Sequence, residues 1–255
     1  MIYKSYKVIK KNKRQENMKI QIASDLHLDQ LKGFGSYSLY EYKKLIYPEG
    51  DILILAGDIC RIEDVKKYEK FFKYLNDNYH YIIYIPGNHE FYNKKSLKID
   101  ELTEMIKDFL EDYKNFIYLD NRSVIIEDIL FTGSCLWCSP DINPPPWFNI
   151  DLSKEDLCRL NKESIKYLNK ASSINHKNHI VITHYPPLKL DLKFDSKKDY
   201  YRDYYVNKNL WLNSPPKYWI FGHTHNNLKQ ETNDTIYLSN QRKDKSYKNN
   251  LIISL

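Results

Sequence analysis

A chain of 255 residues with 42% hydrophobic content and a net charge of +6 can bury a sizeable core, which excludes a disordered protein. No run approaches the roughly 20 apolar residues of a transmembrane helix, and the first residues lack the apolar core of a signal peptide, so an intracellular, cytoplasmic location is expected. Four cysteines, Cys60, Cys135, Cys138 and Cys158, do not make a disulfide framework in a chain this long, and the lone Cys135-x-x-Cys138 lacks the second pair of a zinc knuckle, so it reads as buried thiols along a strand.

The N-terminal segment sets Lys4, Lys7, Lys10, Lys11, Lys13, Arg14 and Lys19 against Glu16 alone. Residues 1–17 read as a basic extension, solvated or disordered, with a nucleic-acid or anionic-membrane arm as the alternative. Residues 18–255 show no linker and no repeat and read as one domain.

Residues 18–23 alternate apolar and polar and predict a strand that runs into Asp25-Leu26-His27. In an extended segment side chains two apart point the same way, so Asp25 and His27 could grip one ion together. A short helix over 37–47 ends at Pro48 and Gly50. The run 51–56 is apolar throughout, the mark of a strand buried on both faces, and it ends in Gly57-Asp58. Residues 63–79 carry a helical stripe, and the strand 81–85 leads through Pro86 into Gly87-Asn88-His89-Glu90. Repeated strand–helix units predict an α/β fold with parallel strand pairs.

A helix over 96–113 follows, then short strands at 116–119, 123–127 and 129–132 that resemble an antiparallel meander. Pro140, Pro144, Pro145 and Pro146 make 139–147 a stiff loop. Ser153-Lys154-Glu155-Asp156 is a capping box opening a helix to about residue 175. The strand 179–183 delivers His184. The Tyr-rich stretch 190–205 reads as a surface loop running into a helix at 202–213, with base stacking as the alternative. The strand 218–221 ends in Gly222-His223-Thr224-His225, and strands at 228–231, 235–238 and 251–254 close the chain.

Five polar clusters therefore stand at five strand ends, where α/β sheets bind ligands. They collect Asp25, His27, Asp58, Asn88, His184, His223 and His225, with His89 beside them; only His80, His176 and His179 fall outside. Imidazole with carboxylate and without thiolate suits zinc, manganese or iron. So many donors exceed one tetrahedral site but suit two ions sharing a bridge, and a carboxylate such as Asp58 can bridge. Two ions about 3.5–4 Å apart can hold both sides of an in-line displacement at phosphorus. Gly57, Gly87 and Gly222 each stand between a buried strand and a donor, where they would allow a sharp turn or a close backbone approach.

The order Asp-x-His, Gly-Asp, Gly-Asn-His-Glu, His and Gly-His-x-His resembles the calcineurin-like metallophosphoesterase superfamily, from residue 18 to about residue 240. That resemblance implies an α/β fold with α+β parts, a four-layer αββα sandwich of mixed sheets. It implies one metal on Asp25, His27, Asp58 and His225 and a second on Asp58, Asn88, His184 and His223. A hydroxide bridging the two ions would attack phosphorus, and His89, not a ligand, would protonate the leaving oxygen as general acid. The expected cofactors are two divalent ions, manganese, iron or zinc; the expected substrate is a phosphomonoester or phosphodiester. A nuclease or nucleotide phosphodiesterase is the alternative, and a non-catalytic interaction module on the same fold is the rival from another class.

One position departs from the protein phosphatases of this superfamily. They place an Asp three residues after the Gly-Asp carboxylate, where it orients the catalytic His; here that position is Arg61. Arg61 is expected either to contact substrate phosphate or to form a surface ion pair. Glu90, Glu63 and Asp64 remain as candidates to orient His89.

Overall fold

The computed structural model describes residues 7–9, 18–140, 143–144, 150–174, 176–187, 190, 212 and 214–254. In chain order they form β1 (Lys7–Ile9), β2 (Lys19–Ala23), α1 (Leu39–Leu45), β3 (Ile52–Ala56), α2 (Glu69–Asn78), β4 (Tyr81–Ile85), α3 (Ile99–Leu110), β5 (Phe116–Tyr118), β6 (Arg122–Ile126), β7 (Ile129–Ser134), α4 (Lys154–Ser172), β8 (Asn178–Thr183), β9 (Tyr218–Phe221), β10 (Lys229–Thr232), β11 (Thr235–Ser239) and β12 (Ile252–Ser254). One sheet has five strands in the order β12-β2-β3-β4-β5; the other has seven, β1-β6-β7-β8-β9-β11-β10.

Period-two alternation assigns each side chain to a layer. On β3, Leu53 and Leu55 pack in a cluster with Phe71, Phe72, Leu75 and Ile106, the buried faces of α2 and α3. Ile52, Ile54 and Ala56 face the other way, into a cluster with Phe131, Ile180, Ile182 and Ile220 of the seven-stranded sheet. The outer face of that sheet buries Val181, Trp219, Phe221 and Tyr237 with Leu168 of α4. The layers are therefore helices, sheet, sheet, helix, an αββα sandwich with two mixed sheets. Each fully buried Leu, Ile or Phe contributes about 1.5–3 kcal/mol, so the inter-sheet cluster is a main source of stability.

Several expectations meet the structure directly. α4 opens on the expected capping box: Ser153 Oγ accepts from Asp156 N at 3.1 Å, and Asp156 Oδ2 accepts from Ser153 N at 3.1 Å. The segment 63–79 is helical, but its first part, Ile62–Tyr68, is a 3₁₀ helix before α2 begins. Three expectations need correction. The antiparallel meander does not form: β5 joins the five-stranded sheet parallel to β4, while β6 and β7 make an antiparallel hairpin in the other sheet. Tight connections show where strands end, not which sheet each one enters, and the chain crosses between sheets at 119–121. Cys135 and Cys138 are buried, yet they lie just past β7, around a left-handed Leu136, rather than along a strand. Part of the N-terminal segment also adopts structure, since β1 pairs parallel with β6 at a sheet edge. The Tyr-rich stretch and its expected helix lie outside the described residues, apart from Leu190 and Leu212. No helix among the described residues is long and apolar enough to cross a membrane.

The arrangement positions a site. β2, β3 and β4 are adjacent and parallel, as are β8 and β9, so their C-terminal ends come together. The two sheets approach closely at Gly133 of β7, where an added Cβ would lie 2.6 Å from Leu119 Cβ and against Ile85. Gly133→Ala is expected to destabilise by about 1–3 kcal/mol through overpacking, read from urea unfolding midpoints. An unchanged midpoint would show that the sheets can separate there freely.

Candidate metal centre

Asp25, His27, Asp58 and His225 converge with all their donor atoms within 4.8 Å of one another, and Asp58, His184 and His223 form a second such group. Asp58 belongs to both. Its Oδ1 lies 3.3 Å from His184 Nε2, and its Oδ2 lies 3.7 Å from His27 Nε2. Asn88 completes the second group: its Oδ1 is 3.1 Å from His184 Nε2 and 3.0 Å from His223 Nδ1. Asn88 Nδ2 donates to Tyr92 Oη at 2.9 Å, which fixes the amide so that its oxygen faces inward. All seven donors singled out in the sequence are thus brought together, from five strand ends.

The local backbone differs from expectation. Asp25 and His27 do not share a side of an extended segment; both are left-handed, with φ of 53° and 45°. Asp58 (56°), His223 (70°) and His225 (53°) are left-handed too. Each such non-glycine residue costs about 1–2 kcal/mol, and the cost falls on the donors themselves. Of the three glycines beside them, only Gly57 has a positive φ, 86°. Gly87 supplies room rather than a left-handed turn: an added Cβ would sit 2.7 Å from Asp58 N and 2.8 Å from His184 Cε1.

Glu90 has the role that sequence alone left unassigned. It is fully buried. Its Oε2 accepts from Asp58 N and Gly87 N, both at 2.8 Å; its Oε1 accepts from Ile59 N at 2.7 Å and Tyr84 Oη at 2.9 Å. One carboxylate thus ties the loop after β3 to the loop after β4. Burial, with the charge of Asp58, pushes the Glu90 carboxyl up to about 7, against the pull of His184 and the N–H donors of Ile59 and Gly87. Gln241, from the Lys- and Asn-rich C-terminal stretch, does similar work: its Oε1 accepts from His225 N at 2.6 Å. Ser24 Oγ donates to Asp25 Oδ2 at 2.6 Å. The available signal for Glu90 was its place directly after His89 in the motif; nothing local marks Gln241.

The charges are mutually set. Burial raises the Asp58 carboxyl, but the His184 and His89 rings outweigh it and hold the group well below the usual carboxylate range. Asp25 is lowered likewise: burial opposes, while His225 and His184 prevail. Burial brings His27 down to about 4, despite Asp58 and Asp25. Burial also disfavours the charged form of His184, yet Asp58 and Asp25 carry it up to about 9. His184 Nδ1 lies 3.0 Å from Ala56 O, a pure acceptor, so Nδ1 carries a proton and Nε2 is the atom aimed at the cluster.

His89 lies at the open side of the cluster, 21% exposed, with Nε2 4.0 Å from Asp58 Oδ2. Its ring packs edge-on to His27 at 4.5 Å and tilted on Tyr92 at 4.3 Å. Arg61 forms an ion pair, its Nε 3.4 Å from Asp29 Oδ2.

A buried group of carboxylates, an amide and imidazoles at the convergent ends of two sheets defines a candidate dinuclear metal centre of a hydrolase-type fold. The chain belongs to the calcineurin-like phosphoesterase family, whose model matches residues 18–227. It is 31% identical to an uncharacterized protein of Acanthamoeba polyphaga mimivirus, over 87% of this chain and 90% of that protein. Its fold is similar to the crystal structure of a phosphopantetheinyl hydrolase from Mycobacterium tuberculosis, with TM-score 0.62 and 14% identity over 94% of this chain and 96% of the other. A dimetal phosphatase from Danio rerio is also similar, with TM-score 0.51 and 9% identity over 88% and 87% of the two chains. Family membership points to metal-dependent phosphoester hydrolysis.

Glu90→Gln keeps the shape but sets an NH₂ against N–H or O–H donors. It is expected to cost about 2–4 kcal/mol, measured by urea or thermal unfolding. A loss under about 0.5 kcal/mol would show that Glu90 does not hold the two loops.

Proposed function

We propose that this chain hydrolyses phosphoesters with two divalent ions, one held by Asp25, His27, Asp58 and His225 and the other by Asp58, Asn88, His184 and His223. The observation that carries this is the meeting of two donor groups at the single carboxylate of Asp58. The donors fit the ions. They are oxygens and imidazole nitrogens with no thiolate, the set that manganese, iron or zinc accept. Two pairs of imidazole nitrogens, His27 with His225 and His184 with His223, face each other at 3.2 and 3.3 Å, a geometry that requires a proton or a cation between them. Two divalent ions held there would supply Lewis-acid charge and would lower the pKa of bound water.

The chain's own residues do the rest. Asp58 and Asn88 hold the reacting centre between the sheets. His89, exposed at the rim, presents Nε2 to the leaving oxygen and donates its proton there, so that no bare alkoxide departs. Asp58→Asn is expected to lower metal content and to abolish hydrolysis of an aryl phosphodiester and an aryl phosphomonoester. His89→Asn is expected to keep the metals and lose at least about 100-fold in kcat. Elemental analysis with both assays checks this; wild-type protein that binds no divalent ion, or that turns over neither ester, would sink it.

Metal uptake is expected to depend on pH through His184. In the metal-free chain that ring stays protonated up to about 9, and an ion on Nε2 must displace the proton. Affinity therefore rises with pH below 9, by about tenfold per unit for one released proton. His27, already neutral above about 4, adds no such slope near pH 7. Chelator-competition titrations between pH 6.5 and 8.5 measure the slope, and a flat profile contradicts it.

A further inference from the structure

His89 needs one ring nitrogen toward the substrate and something to hold the other. Nε2 faces Asp58. Nδ1, on the far side of the ring, is buried and has no hydrogen-bond partner among the described residues. None of the three acidic residues suggested by the sequence engages it. Glu90 is committed to Asp58 N, Ile59 N, Gly87 N and Tyr84. Glu63 accepts from Lys94 N at 3.1 Å, and Asp64 pairs with Lys67 at 2.6 Å.

A matching orphan lies nearby. Asp29 sits in the 3₁₀ turn Leu28–Gln30, directly after His27, whose ring packs against His89. That turn is pinned to the loop after β3: His27 N donates to Asp58 O at 3.0 Å and Leu28 N to Ile59 O at 2.9 Å. The Asp29 side chain is 8% exposed. Its Oδ2 pairs with Arg61 Nε at 3.4 Å as an ion pair rather than a hydrogen bond, Arg61 Nε being itself without a hydrogen-bond partner among the described residues, while its Oδ1 is buried and accepts no hydrogen bond from them. Burial raises the Asp29 carboxyl, and His89 is the strongest influence opposing that, ahead of Arg61. A buried donor and a buried acceptor left unmatched each carry a desolvation penalty of about 1–3 kcal/mol, which pairing removes.

We propose that Asp29 is the positioning residue of His89, its Oδ1 accepting from the Nδ1–H of the ring in the working enzyme, with Arg61 holding Oδ2. This rests on the hydrolase reading for its catalytic consequence, though not for the contact itself. The ring enters as imidazolium. The Nε2 proton passes to the leaving oxygen as the P–O bond breaks, and the ring is left neutral with Nδ1–H still donated to Asp29. The carboxylate thus selects the tautomer that leaves Nε2 as the working atom. Arg61, at the position where the protein phosphatases carry an Asp, acts here by orienting one.

The test reads the ring directly and then the chemistry. Long-range ¹H–¹⁵N spectra of metal-free protein, with His89 assigned through His89→Asn, are expected to show an Nδ1-protonated ring. Asp29→Asn should shift its ring signals toward the Nε2–H form, and Asp29→Glu, which keeps the charge, should restore them in part. In the metal-loaded enzyme, Asp29→Asn should lower kcat at least about tenfold on an alkyl phosphoester, which needs its leaving group protonated, and far less on a p-nitrophenyl ester. A wild-type Nε2–H ring, signals indifferent to Asp29→Asn, or equal losses on both esters overturns the proposal. If wild type hydrolyses neither ester, the hydrolase reading fails, and the ring spectra still decide the contact.

Discussion

The carboxylate of Glu90 sits where water cannot reach it and accepts from three backbone N–H groups and a tyrosine hydroxyl. A buried carboxylate is tolerated only when its lone pairs are filled, and the groups that fill them belong to the two loops that carry Asp58, Asn88 and His89. The interaction therefore works in both directions. The loops neutralise the cost of burying Glu90, and Glu90 fixes the separation of the loops. His89 N adds a third link by donating to Asp58 Oδ1 at 2.9 Å.

The rest of the centre is assembled against two opposing forces. The backbone is bent into left-handed conformations at five donor residues, and carboxylates and imidazoles are crowded out of water. Both are costs that a sheet edge alone would relieve by opening. They persist because the sandwich below is well packed: the strands that end at the donors bury their alternate residues in the inter-sheet cluster. Gly57 and Gly87 matter for the same reason, since a side chain at either position would occupy space held by His184 or Asp58. Strain of this kind is common where a site must be held ready for a ligand.

Electrostatic division of labour follows from small differences in surroundings. His27 and His184 are both buried imidazoles, yet burial dominates in the first and the two carboxylates dominate in the second. Ala56 O at His184 Nδ1 settles which nitrogen faces inward. At the rim, His89 is open enough to meet a substrate, while its Nδ1 is buried.

Much of this was legible in the residues. The continuous apolar run over 51–56, the alternation at 18–23 and the polar clusters after five strands are patterns among near neighbours. They determined an α/β fold with parallel strand pairs, the donor types and their place at strand ends, while the αββα sandwich was what the resemblance of the motif order implied. The meander at 116–132 was misjudged, because the pairing partners of a short strand are chosen by the sheet it meets. Asp25 and His27 looked extended, because φ at those positions answers to contacts such as Asp25 N with Gly57 O and His27 N with Asp58 O, on a loop far along the chain. The sequence by itself determined what could bind and at which ends. The tertiary structure alone decided that Glu90 clamps the two loops and that Asp29 is left, among the described residues, with a buried, unpaired oxygen, since acidic residues of the same charge are told apart only by the donors folding brings to them.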